Sequence, residues 1–180
     1  MYIEQCNSIR CTWYNSCISS KSVQKKQYTM GIVPSRKIRM LHTDELEKAL
    51  KRYPDFQGVY AVDELPKDPK PGLYIANTDP SNKDGEHWVL FYICKDGTIE
   101  FFDSFGRKPL ERWPGEWKYS TRMVQSPTSN ACGYHVLCYA YLRRFRTFEE
   151  IMTWYGNDLK ENDKKATFVA RYIYGVKLWL

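Results

Sequence analysis

Residues 125–142, QSPTSNACGYHVLCYAYL, pass from a polar, turn-forming stretch into an apolar one, with a cysteine at the junction. A cysteine nucleophile needs a thiol tipped toward thiolate, a base within reach and donors for an oxyanion. Cys132 meets the first need if it lies in the opening turn of a helix capped by Ser129 or Asn130, where unpaired N–H groups and the helix dipole favour negative charge. Gly133 beside it leaves room for substrate. Cys138, about two turns further on between Leu137 and Tyr139, reads as core packing, and Cys94 ends a strand beside a turn. The plain alternative for Cys132 is the first small buried residue of a core helix.

Three histidines compete for the role of base. His135 follows Cys132 by three residues, but both side chains lean toward the helix N-terminus and stack along one side, with no obvious third residue to orient the ring. His42 precedes a surface helix. His87 opens the first strand of a hairpin, HWVLFYI–KDG–TIEFFDSFG, and Asp103 closes the second. A three-residue loop at 95–97 sets Cys94 opposite Thr98 and His87 opposite Phe105, which makes Asp103 the diagonal same-face neighbour of His87. A two-residue loop would send the pair to opposite faces. The odd register yields base, orienter and nucleophile in the chain order His, Asp, Cys. Gln125, seven residues before Cys132, can donate a side-chain N–H to an oxyanion, with the Cys132 backbone N–H as second donor. Taken singly, each of these residues is an ordinary strand end or polar loop residue.

The elements that must position them are legible in outline. HTDELEKALKRY is predicted as a helix capped by Thr43 or Asp44, with acids in its first turn and bases in its last; Pro54 ends it. FQGVYAV and LYIANT read as strands around a proline-rich loop, and a short strand is expected around 119–124. The hairpin is apolar on both faces, so its sheet must be covered on both sides. The helix at Cys132 runs through GYHVLCYAYLRRF, TFEEIMTWY follows with Thr147 as cap, and a last helix starts near Asn157 or Asp158. The pattern is an α+β domain with a central, mostly antiparallel sheet.

A chain of 180 residues is expected to form one domain with a real core. No apolar run approaches the roughly 18 residues of a membrane span. The first residues lack the charged-then-apolar order of a secretion signal, so an intracellular, soluble protein is expected. The six cysteines then read as thiols. The net charge of +6 is uneven: residues 1–40 hold seven Lys/Arg against one acid, Glu4, whereas the remainder holds twenty of each. Residues 1–40 therefore read as a basic, poorly ordered leader, and 41–180 as the folded domain. Cys6, Cys11 and Cys17 in that leader fit no common zinc spacing, so no metal is expected.

The joint pattern GEHWVLFYI, TIEFFDSFG and VQSPTSNACGYHVLCYAYL resembles the adenovirus-type endopeptidase (adenain-like) family, related to the SUMO-deconjugating cysteine proteases. The likeness covers about residues 43–145, with YPDFQGVYAVDELP and GLYIANT resembling the lead-in to the family's histidine strand. It implies a papain-like/adenain-like fold with His87 as base, Asp103 as orienter, Cys132 as nucleophile and Gln125 in the oxyanion hole. Trp88 is implied as an indole beside the cleft, a position that packing alone would also explain. The implied activity is endopeptidase cleavage of extended segments after a small residue, usually glycine. The implied substrates are viral or mobile-element structural precursors, in the virion or host nucleus. Asp103 stands where the adenovirus enzymes carry Glu and the deconjugating branch carries Asp. A deconjugating isopeptidase acting on a SUMO- or ubiquitin-like C-terminal Gly-Gly is therefore the first alternative. A non-catalytic virion or DNA-binding protein that keeps a protease fold is the second.

The resemblance requires no cofactor for the chemistry but brings two activators into view. DNA is retained as an activator through the basic residues 1–40, with an affinity that falls with salt. A disulfide-linked peptide activator is disfavoured, because RKPLERWPGEWKYSTRMV contains no cysteine. A monomer without membrane association is expected.

Overall fold

Capped helices and period-two apolar runs divide residues 38–109 and 112–176, the residues described by the computed structural model, into alternating elements. In chain order these are α1 (Thr43–Leu50), β1 (Phe56–Ala61), a 3₁₀ turn (Val62–Glu64), β2 (Gly72–Asn77), β3 (Trp88–Ile93), β4 (Ile99–Phe102), β5 (Trp117–Tyr119), α2 (Cys132–Arg143), α3 (Phe148–Trp154) and α4 (Leu159–Tyr174). The leader expected over 1–40 lies outside the described residues as far as position 37. Residues 38–40 already belong to the compact unit that begins at Arg36. Arg39 Nη1 donates to the Glu45 carboxylate at 2.7 Å, which ties this segment to α1.

The central hairpin has the odd register expected of it. Leu90 pairs with Phe102 and Ile93 with Ile99, while the Cys94 N–H closes the loop on the Thr98 carbonyl at 2.8 Å. Around it the five strands lie in sequence order, but the sheet is mixed rather than mostly antiparallel. β2–β3 and β3–β4 are antiparallel, whereas β1–β2 and β4–β5 are parallel. The outer strands are reached by crossover segments instead of tight turns, and that forces the parallel sense. β5 ends at Tyr119 rather than spanning 119–124. Beyond it the chain leaves the sheet, and the Val124 and Gln125 N–H groups bond to the Ser104 carbonyl.

Both faces of the sheet are covered, as the two-sided apolar pattern requires. Leu73, Ile75, Trp88, Leu90 and Phe102 pack against the helices. Tyr74, Val89, Phe91, Ile93, Ile99 and Phe101 pack under Leu65 and Trp113 from the connecting segments. Burying each large aliphatic or Phe side chain contributes about 1.5–3 kcal/mol, so the hairpin is anchored from both faces.

α2 is buried around nearly its whole circumference, from Cys132 through Ala140. A helix apolar on all sides belongs in the centre of a core, and here it lies between the sheet and α4. Its far end is tied to β4 by Glu100, whose carboxylate accepts from Tyr139 Oη at 2.8 Å and from Arg143 Nε at 2.7 Å and Nη2 at 3.1 Å. β4 thus registers the last turns of α2 with Glu100 and, at its own end, presents Asp103 toward the first turn.

The caps follow local chemistry with two corrections. Thr147 caps α3, accepting from the Glu150 N–H while Glu150 reaches back to the Thr147 N–H, and Asp158 caps α4. α1 is capped at His42 rather than Thr43 or Asp44, because the Glu45 carboxylate accepts the His42 N–H at 3.1 Å. α2 starts from Ala131, not Ser129 or Asn130, and no side chain caps it. The Ser129 hydroxyl instead bonds the Ser126 carbonyl at 3.1 Å.

Candidate active site

His87 lies one residue before β3, and its carbonyl accepts the Thr78 N–H at 2.8 Å, which holds the strand mouth closed. Asp103 lies one residue after β4. Its Oδ1 accepts from His87 Nε2 at 2.7 Å and from the Phe105 N–H at 2.7 Å. A tight turn builds this acceptor: the Gly106 N–H bonds the Asp103 carbonyl at 2.9 Å, and Gly106 has φ +70°. A Cβ there would stand 2.6 Å from the Thr121 carbonyl oxygen, so glycine is required on two counts. The Phe105 ring stacks on the imidazole, with centroids 4.6 Å apart. The imidazole is held by its Nε2 edge and by one face.

With Nε2 donating its proton to Asp103, Nδ1 is the ring atom left to exchange a proton with a nucleophile. Nδ1 is buried without a fully formed hydrogen bond among the described residues. The Cys132 thiol lies beside it, near enough to act on the charge of the ring. Burial by itself pushes the imidazole down, but the Asp103 hydrogen bond and the Cys132 contact outweigh it and lift His87 to about 9. An imidazolium that persists at neutral pH is the state a thiolate partner needs. Cys132 is the first residue of α2, at the positive end of the helix dipole. Because the N-cap is Ala131, no side chain occupies the donors of the first turn.

Gln125 is buried beside this helix start, with its amide oriented at both ends. Oε1 accepts from Ser104 Oγ at 2.6 Å, and Nε2 donates to the Ser129 carbonyl at 2.7 Å. The segment around it is gripped from two directions. The Ser104 carbonyl takes the Val124 and Gln125 N–H groups at 2.8 and 3.1 Å. From α4, Asn162 Nδ2 donates to the Val124 carbonyl at 3.1 Å, and Asp163 Oδ1 accepts the Ser126 N–H at 3.3 Å.

Sequence reasoning overlooks Ser104, Phe105, Asn162 and Asp163. Two adjacent polar residues on what becomes the buried side of α4 are a readable signal for the last pair. Ser104 and Phe105 offer no signal beyond lying next to Asp103.

Trp88 takes the packing role that the sequence left open beside a place at the cleft, and Gly133 takes a role different from the one expected. Trp88 is buried in the core, and its indole N–H is donated to the Leu41 carbonyl at 2.8 Å. At Gly133 a Cβ would come within 2.9 Å of Leu41 Cβ, so the space beside the helix is filled by Leu41 and not left for substrate. Both residues seat the segment before α1 against the site. Gly133→Ala is accordingly expected to destabilise the protein by about 1–3 kcal/mol through overpacking, measurable as a lower urea midpoint at unchanged slope.

His135 does have a third residue to orient it, contrary to the sequence expectation. Its Nε2 pairs with Asp163 Oδ1 at 2.9 Å and its Nδ1 meets Tyr155 Oη at 3.3 Å. The ring is wholly enclosed, and burial pushes it down toward the neutral form. It is a core histidine that braces α2 against α4. Cys138 is buried and pushed up to about 12 by that burial; Cys94, half-buried beside Glu100 and Arg143, is also raised by burial. Among the described cysteines, Cys132 is the one beside a histidine held in the charged form.

Among the described residues no cluster of three His, Cys, Asp or Glu side chains could hold a metal ion, and no helix is long and apolar enough to cross a membrane. The basic residues proposed for DNA lie outside the described residues, apart from Arg39. Compared with protein-family models and with curated proteins, the chain gives no match to either.

Proposed function

We propose that the chain is a cysteine endopeptidase of the adenain-like type, with a papain-like arrangement of nucleophile helix and base-bearing sheet. The observation that carries this reading is the imidazole of His87, fixed by Asp103 on Nε2 and adjacent through Nδ1 to a thiol at a helix N-terminus. In the first half-reaction Nδ1 already holds the proton drawn from the thiol, and the Cys132 sulfur attacks the substrate carbonyl carbon. The resulting oxyanion accepts the Cys132 backbone N–H and the amide hydrogen of Gln125 that Ser129 does not use. Collapse breaks the C–N bond, and the imidazolium gives its proton to the departing amine. Water then attacks the thioester with Nδ1 as base, releasing the acid and restoring the thiol.

Cys132, His87, Asp103 and Gln125 are each at most 4 % exposed. So little free space supports a slim substrate, an extended chain cut after glycine or another small residue. Structural precursors of a virus or mobile element fit that description, which would place the enzyme in the virion or host nucleus. The Asp orienter favours the second reading, removal of a ubiquitin-like modifier ending in Gly-Gly. The test is incubation of the purified chain with extended X-Gly-X peptides and, separately, with SUMO- and ubiquitin-derived electrophilic probes. Peptide cleavage dependent on Cys132 is expected. Probe labelling of Cys132 without peptide cleavage would transfer the reading to the deconjugating class. Inertness in both arms would leave a non-catalytic binding protein, with residues 1–40 as the segment to test against DNA.

A further inference from the structure

We infer that Ser104 is a positioning residue for the oxyanion donor, linking the carboxylate that orients the base to the amide that receives the developing charge. The inference rests on the peptidase reading and deepens it.

Ser104 is fully buried between Asp103 and Phe105. Its carbonyl accepts the Val124 and Gln125 N–H groups, and its hydroxyl donates to Gln125 Oε1 at 2.6 Å. The Gln125 amide is planar. With Oε1 held by Ser104 and one Nε2 hydrogen held by the Ser129 carbonyl, the direction of the second hydrogen is set as well. That hydrogen has no acceptor among the described residues, which is what an oxyanion donor needs before substrate arrives. The same short turn carries Asp103, whose Oδ1 holds His87. The anchors of the base and of the oxyanion donor, Asp103 and Ser104, are therefore consecutive residues.

The backbone bonds of residue 104 survive truncation of its side chain, so Ser104→Ala removes one contact, the hydroxyl on Oε1. The amide then loses its anchor at one end. The expected result is a fall in kcat of about 10–100-fold, less than the roughly 10²–10³-fold cost of deleting an oxyanion donor outright, with KM within about twofold. The iodoacetamide reactivity of Cys132 and the alkaline limb of the pH profile stay at wild-type values, because Asp103, His87 and Cys132 are untouched. In the double variant Ser104→Ala/Gln125→Ala, kcat equals that of Gln125→Ala alone, since the hydroxyl acts only through that amide. Ser104→Thr, which keeps the hydroxyl, retains kcat to within a few-fold and covers the case of a poorly folded alanine variant.

An active wild type with an equally active Ser104→Ala variant would overturn the inference, as would additive losses in the double variant. A parallel loss of Cys132 alkylation would also overturn it, since the damage would then lie in the Cys–His pair. Failure of the peptidase reading is recognised separately, by absent Cys132-dependent cleavage in the wild-type protein.

Discussion

Cys132→Ala abolishes peptide cleavage, with an expected loss of about 10⁴-fold or more, the scale on which removal of a covalent nucleophile acts. The fold should survive, because alanine fits a buried helix start and the helix loses only a sulfur. In the unmodified protein, mass mapping after brief iodoacetamide treatment near neutral pH should find Cys132 alkylated ahead of Cys94 and Cys138. The reason is electrostatic: burial raises both of those thiols, Cys138 to about 12, whereas Cys132 faces an imidazole lifted to about 9 and the positive end of α2. Alkylation of Cys94 before Cys132, or cleavage that persists in Cys132→Ala, would remove the nucleophile from this position.

The second large effect belongs to Asp103. With His87 at about 9 against 6.5 unperturbed, the imidazolium persists through neutrality and is lost as pH rises through 9. The alkaline limb of kcat/KM is therefore expected near pH 9. The sign for stability is the same: a raised folded-state value contributes fully below 6.5, and that contribution disappears as pH climbs through 9. Asp103→Asn leaves an oxygen able to accept from Nε2 and from the Phe105 N–H, so it removes chiefly the charge. Its expected signature is an alkaline limb moved toward acid and a fall in kcat/KM of about 10²-fold. Asp103→Ala removes the hydrogen bond that holds the ring as well as the charge, so its loss should be at least as large as that of Asp103→Asn. An unmoved alkaline limb in both variants would show that Asp103 does not set the charge state of the base.

How these residues meet was partly legible from the chain alone. The His87–Asp103 juxtaposition follows from counting: a three-residue hairpin loop and a period of two decide which side chains share a face, and both are local properties. Thr147 and Asp158 as caps follow from short-range hydrogen bonding, again within a few residues. The α2 start was read less well, because Ser129 is drawn to the Ser126 carbonyl and cannot also cap the helix.

Contacts between distant segments were out of reach. His135 and Cys132 are neighbours in sequence, yet Asp163 and Tyr155, twenty or more residues away, claim His135 for the core. Gly133 suggests open space until Leu41 occupies it. Trp88 fits a cleft or the core equally well until its indole N–H reaches the Leu41 carbonyl, 47 residues earlier. Ser104 looks like a spacer until its hydroxyl meets Gln125. By itself the sequence determined the α+β pattern, the both-faced hairpin, and the order of the candidate base, orienter and nucleophile, because those depend on period, turn length and residue type. The parallel outer strands, the distinction between two buried His–Asp pairs, and the grip on the Gln125 amide were decided only by tertiary structure. Each depends on which distant groups compete for the same donor, acceptor or volume once the chain has closed on itself.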